Sequence, residues 1–122
     1  MKLTHYRDSK AYVTKDGSVI RELMHPNQHG NRLQSLAEAT VLAGAKTKLH
    51  QHQKTEELYH IVAGEGWMTL GDKHFRVTQG DTVCIEPGTP HRIENRGQEE
   101  LKILCCCTPP YDRDDTELLG ER

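Results

Sequence analysis

Short strand-like segments separated by turn residues dominate this chain and limit the folds it can adopt. The pair Asp16-Gly17 stands between the runs 11–14 and 18–21, and an Asp-Gly turn between two such runs is a strong β-hairpin signal. Similar runs bounded by Gly, Pro, Asn or Asp predict strands over residues 35–42, 57–63, 67–70, 74–77, 82–85, 91–94 and 101–107. Since no amphipathic helical pattern accompanies them, we predict an all-β sandwich or barrel.

The length of 122 residues fits one domain with a single core. We place the barrel core at about residues 35–107 and an N-terminal hairpin at 10–24, with a loop over 24–31. The segment 109–122 is charged, and we expect it to lie loosely on the surface or to dock on a partner.

The charge balance excludes several classes of protein. Lys and Arg total 16 against 18 Asp and Glu, so the chain lacks the basic excess of a nucleic-acid-binding protein. No run approaches the roughly 18 apolar residues that span a bilayer. The N-terminus has no apolar segment typical of a secretory signal, and we therefore expect a cytoplasmic protein that binds neither nucleic acid nor membrane.

Three of the four cysteines are consecutive, at Cys105, Cys106 and Cys107. Neighbours on a strand point to opposite faces, so adjacent cysteines do not reach disulfide geometry easily. We predict free thiols packed as small apolar side chains in a strand, rather than a redox or metal site.

Histidine is unusually frequent, with eight residues against six aromatics. On a strand, His50 and His52 project from the same face and can present both imidazoles to one metal ion. The alternative to a metal site is a pair of ordinary surface histidines. Glu57 favours the metal, because a carboxylate on the adjoining strand returns to the same point and completes a mixed imidazole and carboxylate site.

Two spaced motifs extend this hypothesis. The first consists of Gly44, His50-x-His52, Glu57 and Gly64, with five, four and six residues between them. It resembles the first conserved motif of the cupins. A later stretch of the chain resembles the second conserved motif of the cupins. It runs from Gly80-Asp81 through Pro87-Gly88-Thr89-Pro90-His91 to Asn95. The resemblance covers residues 44–95 and implies a small double-stranded β-helix, the jelly-roll-like barrel of that family.

The resemblance also implies a metal held inside the barrel by His50, His52, Glu57 and His91. Such ligands suit a divalent first-row ion, Fe, Mn, Ni, Co or Zn, and leave coordination positions open for a small molecule. The chain departs from the family pattern at Glu86, where Pro is usual. We expect Glu86 on a surface turn; the alternative is an acid, base or cation clamp at the mouth of the pocket.

Strand alternation assigns sides to the neighbours of these ligands. If Glu57 points to the metal, Tyr59 points inward as well and His60 points outward. Tyr59 is our candidate catalytic residue, as a proton donor or base, and the alternative is a core tyrosine with a hydrogen-bonded hydroxyl. Asn95 shares the face of His91, and we interpret it as a turn residue.

Cupins include dioxygenases, oxalate-degrading enzymes, isomerases, lyases and pure binding modules, so the fold alone does not decide function. We expect a metal-dependent enzyme acting on a small polar or anionic molecule, either dioxygenase-like or an isomerase or lyase that uses the metal as a Lewis acid. The alternative is a non-catalytic small-ligand binding or sensor module. We also expect a homodimer, the usual assembly of compact cupins and the commonest soluble assembly.

Overall fold

The structure is a computed structural model that describes residues 1–120. Strands account for most of the regular structure. In chain order they are β1 Tyr12–Val13, β2 Val19–Met24, β3 Ser35–Val41, β4 His50–His52, β5 Glu56–Ala63, β6 Glu65–Leu70, β7 Lys73–Thr78, β8 Thr82–Ile85, β9 His91–Glu94, β10 Leu101–Thr108 and β11 Thr116–Leu118.

These strands form two antiparallel sheets. The first has six strands in the order β1-β2-β3-β10-β5-β8, and the second has five in the order β11-β4-β9-β6-β7. The all-β prediction is confirmed. Helical structure within residues 1–120 is limited to α1, Pro26–His29, and the 3-10 turns Tyr6–Asp8 and Arg113–Asp115.

Residue alternation builds the core between the sheets. Ala37, Ala39 and Val41 of β3 are buried, and they alternate with more exposed neighbours along that strand. Ile61 of β5 and Ile103 of β10 face each other in register and are fully buried. Complete burial of such a side chain stabilises the folded state by about 1.5–3 kcal/mol. The inward-facing residues of the alternating strands therefore form the core that the two sheets share.

Gly64 lets the chain pass from β5 in one sheet to β6 in the other. Its φ is +80°, in the left-handed region that favours glycine. A Cβ atom there would lie 2.7 Å from the carbonyl oxygen of Glu100. A side chain at this position would therefore clash, and glycine is required where the chain turns from one sheet to the other.

The two segments predicted to be irregular differ from expectation. Within residues 24–31 the structure has the short helix α1, whose first turn is capped by His25 Nδ1 accepting from Asn27 N. The C-terminal segment does not lie loosely, because β11 pairs with β4, which would otherwise be the edge strand of its sheet. An unpaired edge leaves backbone groups without partners, and the tail supplies them. Residues 121 and 122 of the predicted tail lie outside the described part of the chain.

Over the described 120 residues, no helix has the length and apolar character needed to cross a bilayer.

The cysteine run follows the predicted alternation. Cys105 and Cys107 are buried, Cys106 is half-buried on the opposite face, and none of the three forms a disulfide. Burial raises the pKa of the Cys105 and Cys107 thiols, so both stay protonated.

Candidate metal centre

Three histidines from two neighbouring strands meet inside the barrel. His50 and His52 lie on one face of β4, and His50 is in register with His91 of β9. All three are buried, and one nitrogen from each lies within 4.8 Å of the others. Period-2 geometry along β4 and the pairing of β4 with β9 therefore bring the three imidazoles together.

Each of these imidazoles has a partner at Nδ1. His50 Nδ1 lies 2.7 Å from the carbonyl oxygen of Lys48, and His91 Nδ1 lies 2.9 Å from that of Thr89. A carbonyl only accepts, so both Nδ1 atoms donate and the neutral rings carry a lone pair at Nε2.

Thr116 of β11 orients the third imidazole. Its Oγ1 donates to the Asp112 carbonyl and lies 3.0 Å from His52 Nδ1, which therefore donates to it. The Nε2 atoms of all three histidines are thus left as bases facing the same point. Histidine ligands of metals are commonly oriented through Nδ1 in this way.

Glu57 reaches the histidines from the opposite sheet. Its Oε1 lies 3.2 Å from His52 Nε2 and 3.7 Å from His91 Nε2. Glu57 Oε1 and His91 Nε2 are both buried and have no partner with hydrogen-bond geometry. Buried lone pairs facing a carboxylate oxygen are unfavourable unless a cation lies between them, so these residues fit a bound metal ion.

The protonation states agree with a metal-binding role. Burial, together with the neighbouring His91, lowers the pKa of His50 to about 4, although Asp16 opposes the shift. Burial would raise the pKa of Glu57, but hydrogen bonds and positive charge from His52 and His91, when these rings are protonated, outweigh it and hold the value at about 2. A bound metal ion would supply that positive charge when the rings are neutral. At neutral pH His50 is a neutral base and Glu57 an anion, which are the forms that bind metals.

Tyr59 lies inside the barrel beside this group. It is buried, its ring centroid is 6.0 Å from that of His91, and it lines the cavity next to the histidines. Burial raises the pKa of its phenol well above the ordinary value, so the hydroxyl stays protonated. His60 points the other way, where its Nδ1 lies 2.8 Å from Thr82 Oγ1 on the surface.

Two further candidates lie away from the histidines. Glu86 is exposed, as expected for a surface turn. Asn95 is buried, donates to the carbonyls of Val41 and Glu99, and accepts from Gly97 N. The structure therefore gives Asn95 a turn-stabilising role.

Three residues that contact the ligand set are not predicted as site residues by the sequence. Asp16 Oδ2 lies 3.4 Å from His50 Nε2, Thr116 orients His52, and the Cys107 thiol donates to Glu57 Oε2 at 3.4 Å. Asp16 was identified only as a turn residue. It approaches His50 because the hairpin turn docks beside β4, where Lys48 N donates to the Asp16 carbonyl at 2.7 Å. Nothing local in the sequence signals that contact.

A cavity of about 40 Å³ adjoins His50, His52 and Glu57. Each water needs about 10–15 Å³ of such volume, so the space admits only a small ligand. Its lining combines apolar side chains, such as Ile20, Ala39 and Ile103, with polar and ionisable ones. The arrangement suits a small molecule bound at open positions of a metal ion and shielded from bulk water.

Known proteins resemble this chain in sequence and in fold. A family model described as a cupin domain matches residues 37–107. An uncharacterized protein of Methanocaldococcus jannaschii is 56% identical over 95% of this chain and 93% of its own length. The oxalate-binding protein of Thermotoga maritima is 28% identical, covering 84% and 81%. A solved Klebsiella pneumoniae protein with a double-stranded β-helix domain superposes with a TM-score of 0.72 at 16% identity, covering 91% and 92%. The predicted double-stranded β-helix is confirmed.

Proposed function

This chain belongs to the cupin family, and we propose that it is a metal-dependent enzyme that acts on a small oxygen-bearing molecule inside the barrel. One observation carries the proposal. Three buried Nε2 bases and a buried carboxylate oxygen converge on one point, and two of these atoms have no partner within the protein. Such atoms are costly to bury unless a ligand completes them.

We assign the ligand positions to His50, His52, His91 and Glu57, and the ion to the divalent first-row metals, Fe, Mn, Ni, Co or Zn. When bound, such an ion supplies Lewis-acid polarisation of a substrate oxygen or redox chemistry with dioxygen. The Nδ1 hydrogen bonds orient the imidazoles, and Glu57 offsets part of the positive charge.

Tyr59 and Asp16 are the candidates for proton movement. Both line the cavity beside the ligand set. The Tyr59 phenol donates a hydrogen bond or proton at its hydroxyl, while Asp16 Oδ2 accepts one. The apolar side chains of the cavity lining limit water around them, which strengthens each of these polar contacts. Such a pair serves an isomerase or lyase, in which one proton is removed and another delivered.

The second candidate is a binding module that does not turn its ligand over. It is favoured by the likeness to the oxalate-binding protein of Thermotoga maritima. The site, the metal and the small cavity serve this function equally well, so turnover is the measurement that separates the two.

The test is elemental analysis of the untagged protein, followed by assays of ligand consumption. We expect about one first-row metal ion per chain, which is lost when His50, His52 or His91 is replaced by Ala. His74→Ala on the surface is the matched control. Metal at full occupancy in the triple variant would contradict the site. Consumption of dioxygen or conversion of a small oxygenated ligand supports the enzyme, and binding without conversion supports the module.

The proposed assembly is a homodimer formed through the outer face of the six-stranded sheet. Leu36, Cys106 and Leu58 lie side by side there, in register across β3, β10 and β5. Leu36 is 38% and Leu58 40% exposed. A second copy of the chain would cover this apolar row.

A further inference from the structure

Glu22 is a second buried acid at the cavity, separate from the ligand set. It lies on the inward face of β2, two residues after Ile20, and is only 5% exposed. Its Oε1 accepts from the Tyr12 hydroxyl at 2.6 Å, whereas Oε2 is buried and has no hydrogen-bond partner. A buried acceptor left open in this way is costly, so it indicates a donor that the protein itself does not provide.

Asp16 faces the same cavity with one oxygen that accepts none of its hydrogen bonds and lies 3.4 Å from His50 Nε2. Its Oδ1 is occupied, because it accepts from Thr14 Oγ1, Ser18 N and Ser18 Oγ. Its Oδ2 faces His50 and makes none of these bonds. Two carboxyl groups therefore present acceptor oxygens to a ligand that sits beside the histidines.

The cavity lacks the cations that an anionic ligand needs. No Lys or Arg of residues 1–120 lines it, while Asp16, Glu22 and Glu57 all do. A divalent ion offsets two negative charges and leaves little attraction for a dicarboxylate, since like charges at short distance in a poorly solvated site repel strongly. The polar partners present are acceptors and hydroxyls, which match a ligand carrying hydroxyl donors.

A larger groove opens beyond Glu22. It has a volume of about 410 Å³ and shares Thr14, Glu22 and Tyr111 with the inner cavity. Glu22 thus stands between the metal group and the outer groove. A ligand that entered the inner cavity from this groove would pass the free oxygen of Glu22.

We infer that this site takes a small uncharged hydroxy-carbonyl compound, whose oxygens face the metal group and whose hydroxyls donate to Glu22 and Asp16, in preference to a dicarboxylate. This inference rests on the proposed metal-dependent function and narrows its substrate class. It sets the chain apart in ligand from the oxalate-binding relative, although the two share the fold.

Calorimetric titration of the cobalt-loaded protein with dihydroxyacetone and with oxalate tests the inference, because the two probes are similar in size and differ in charge and donors. Metal content is measured after each titration, since oxalate also removes metal. We expect dihydroxyacetone to bind more tightly than oxalate. Tighter binding of oxalate, or no binding of dihydroxyacetone by protein that holds its metal, would overturn the inference and leave the metal site intact. A wild-type protein that takes up no metal would overturn both.

Glu22→Gln separates recognition from packing. The amide still accepts from Tyr12 but replaces the free acceptor with a donor. We expect affinity for dihydroxyacetone to fall roughly 10–150-fold, the loss typical of a hydrogen bond to a charged group, and affinity for oxalate to rise. Asp16→Asn should change both affinities in the same directions, and Glu99→Gln, on the surface, should change neither. Equal weakening of both probes by Glu22→Gln would indicate a structural role and overturn the inference.

Discussion

The Oγ1 atom of Thr116 lies 3.0 Å from the Nδ1 atom of His52, which ties the C-terminal strand to the candidate metal ligands. The same strand pairs with β4 in register, Thr116 opposite His52. The preceding turn also holds the connection from β4 to β5, because Asp115 accepts from Lys54 N and Thr55 N. The tail is thus part of the support of the site.

Replacing Thr116 by Val should weaken metal binding. The change removes the acceptor that orients His52, and loss of such a partner typically costs 10–100-fold in metal affinity, so we expect a decrease of about that size. Competition with a chromogenic chelator measures it. Thr82→Val is the matched control, since Thr82 contacts the Nδ1 of the outward-facing His60. An affinity within twofold of wild type would contradict the role of Thr116.

Removal of the metal should destabilise the protein. Binding to the folded state alone adds about 2.7 kcal/mol when the free ligand is at 100 times its Kd. For a chain of this size that corresponds to a fall in Tm of roughly 10 °C on chelation, measured by thermal unfolding with and without EDTA. Glu57→Gln should lose most of this difference. If complete removal of the metal from loaded protein left the Tm unchanged, the result would argue against a metal bound within the fold.

The metal-free protein should lose stability as the pH falls from 6.5 towards 4. The pKa of His50 is lowered from 6.5 to about 4 in the folded state, mainly by burial. The unfolded chain therefore binds this proton more readily than the folded protein does. As a result, the free energy of unfolding has its full value above pH 6.5 and falls by on the order of 3 kcal/mol on acidification.

Urea unfolding in EDTA at several pH values measures this dependence. His50→Gln should flatten it over the same window, because the titrating group is gone. His74→Gln, which alters an exposed histidine, serves as the control. An identical pH slope in His50→Gln and wild type would contradict the assignment.

Replacing Tyr59 by Phe distinguishes a proton-transfer residue from a packing residue. Proton transfer by a positioned side chain contributes about 10²–10⁴-fold, so we expect turnover of an accepted ligand to fall by at least 10²-fold with little change in its affinity. His60→Gln on the outer face is the control and should leave both unchanged. Little change in either parameter for Tyr59→Phe would identify a core tyrosine.

The proposed homodimer predicts a light-scattering mass of twice 13.9 kDa at micromolar concentration. Leu58→Glu should shift the mass towards one chain, because a charge would then stand in the apolar row of the interface. Leu33→Glu is the matched control, as Leu33 is exposed outside that row. A wild-type mass of one chain would refute the assembly.

Much of the fold and part of the site follow from local sequence. Turn chemistry and period-2 alternation depend on neighbouring residues, so the pattern alone predicted most of the strands, though not β11, and the common face of His50 and His52. The same alternation predicted that Glu57 and Tyr59 share a side, and the structure buries both. His91 entered through the spacing of the family motifs rather than through alternation.

The surroundings of the candidate site were decided by tertiary structure. Thr116 is separated from His52 by 64 residues, and Cys107 from Glu57 by 50. Their contacts depend on which strand covers the edge of β4 and on the register of β10 against β5. Asp16 and Glu22 likewise reach the cavity only because the N-terminal hairpin packs there. Alternation assigns each side chain to a face of its own strand, whereas the partner on that face is chosen by the packing of the whole chain.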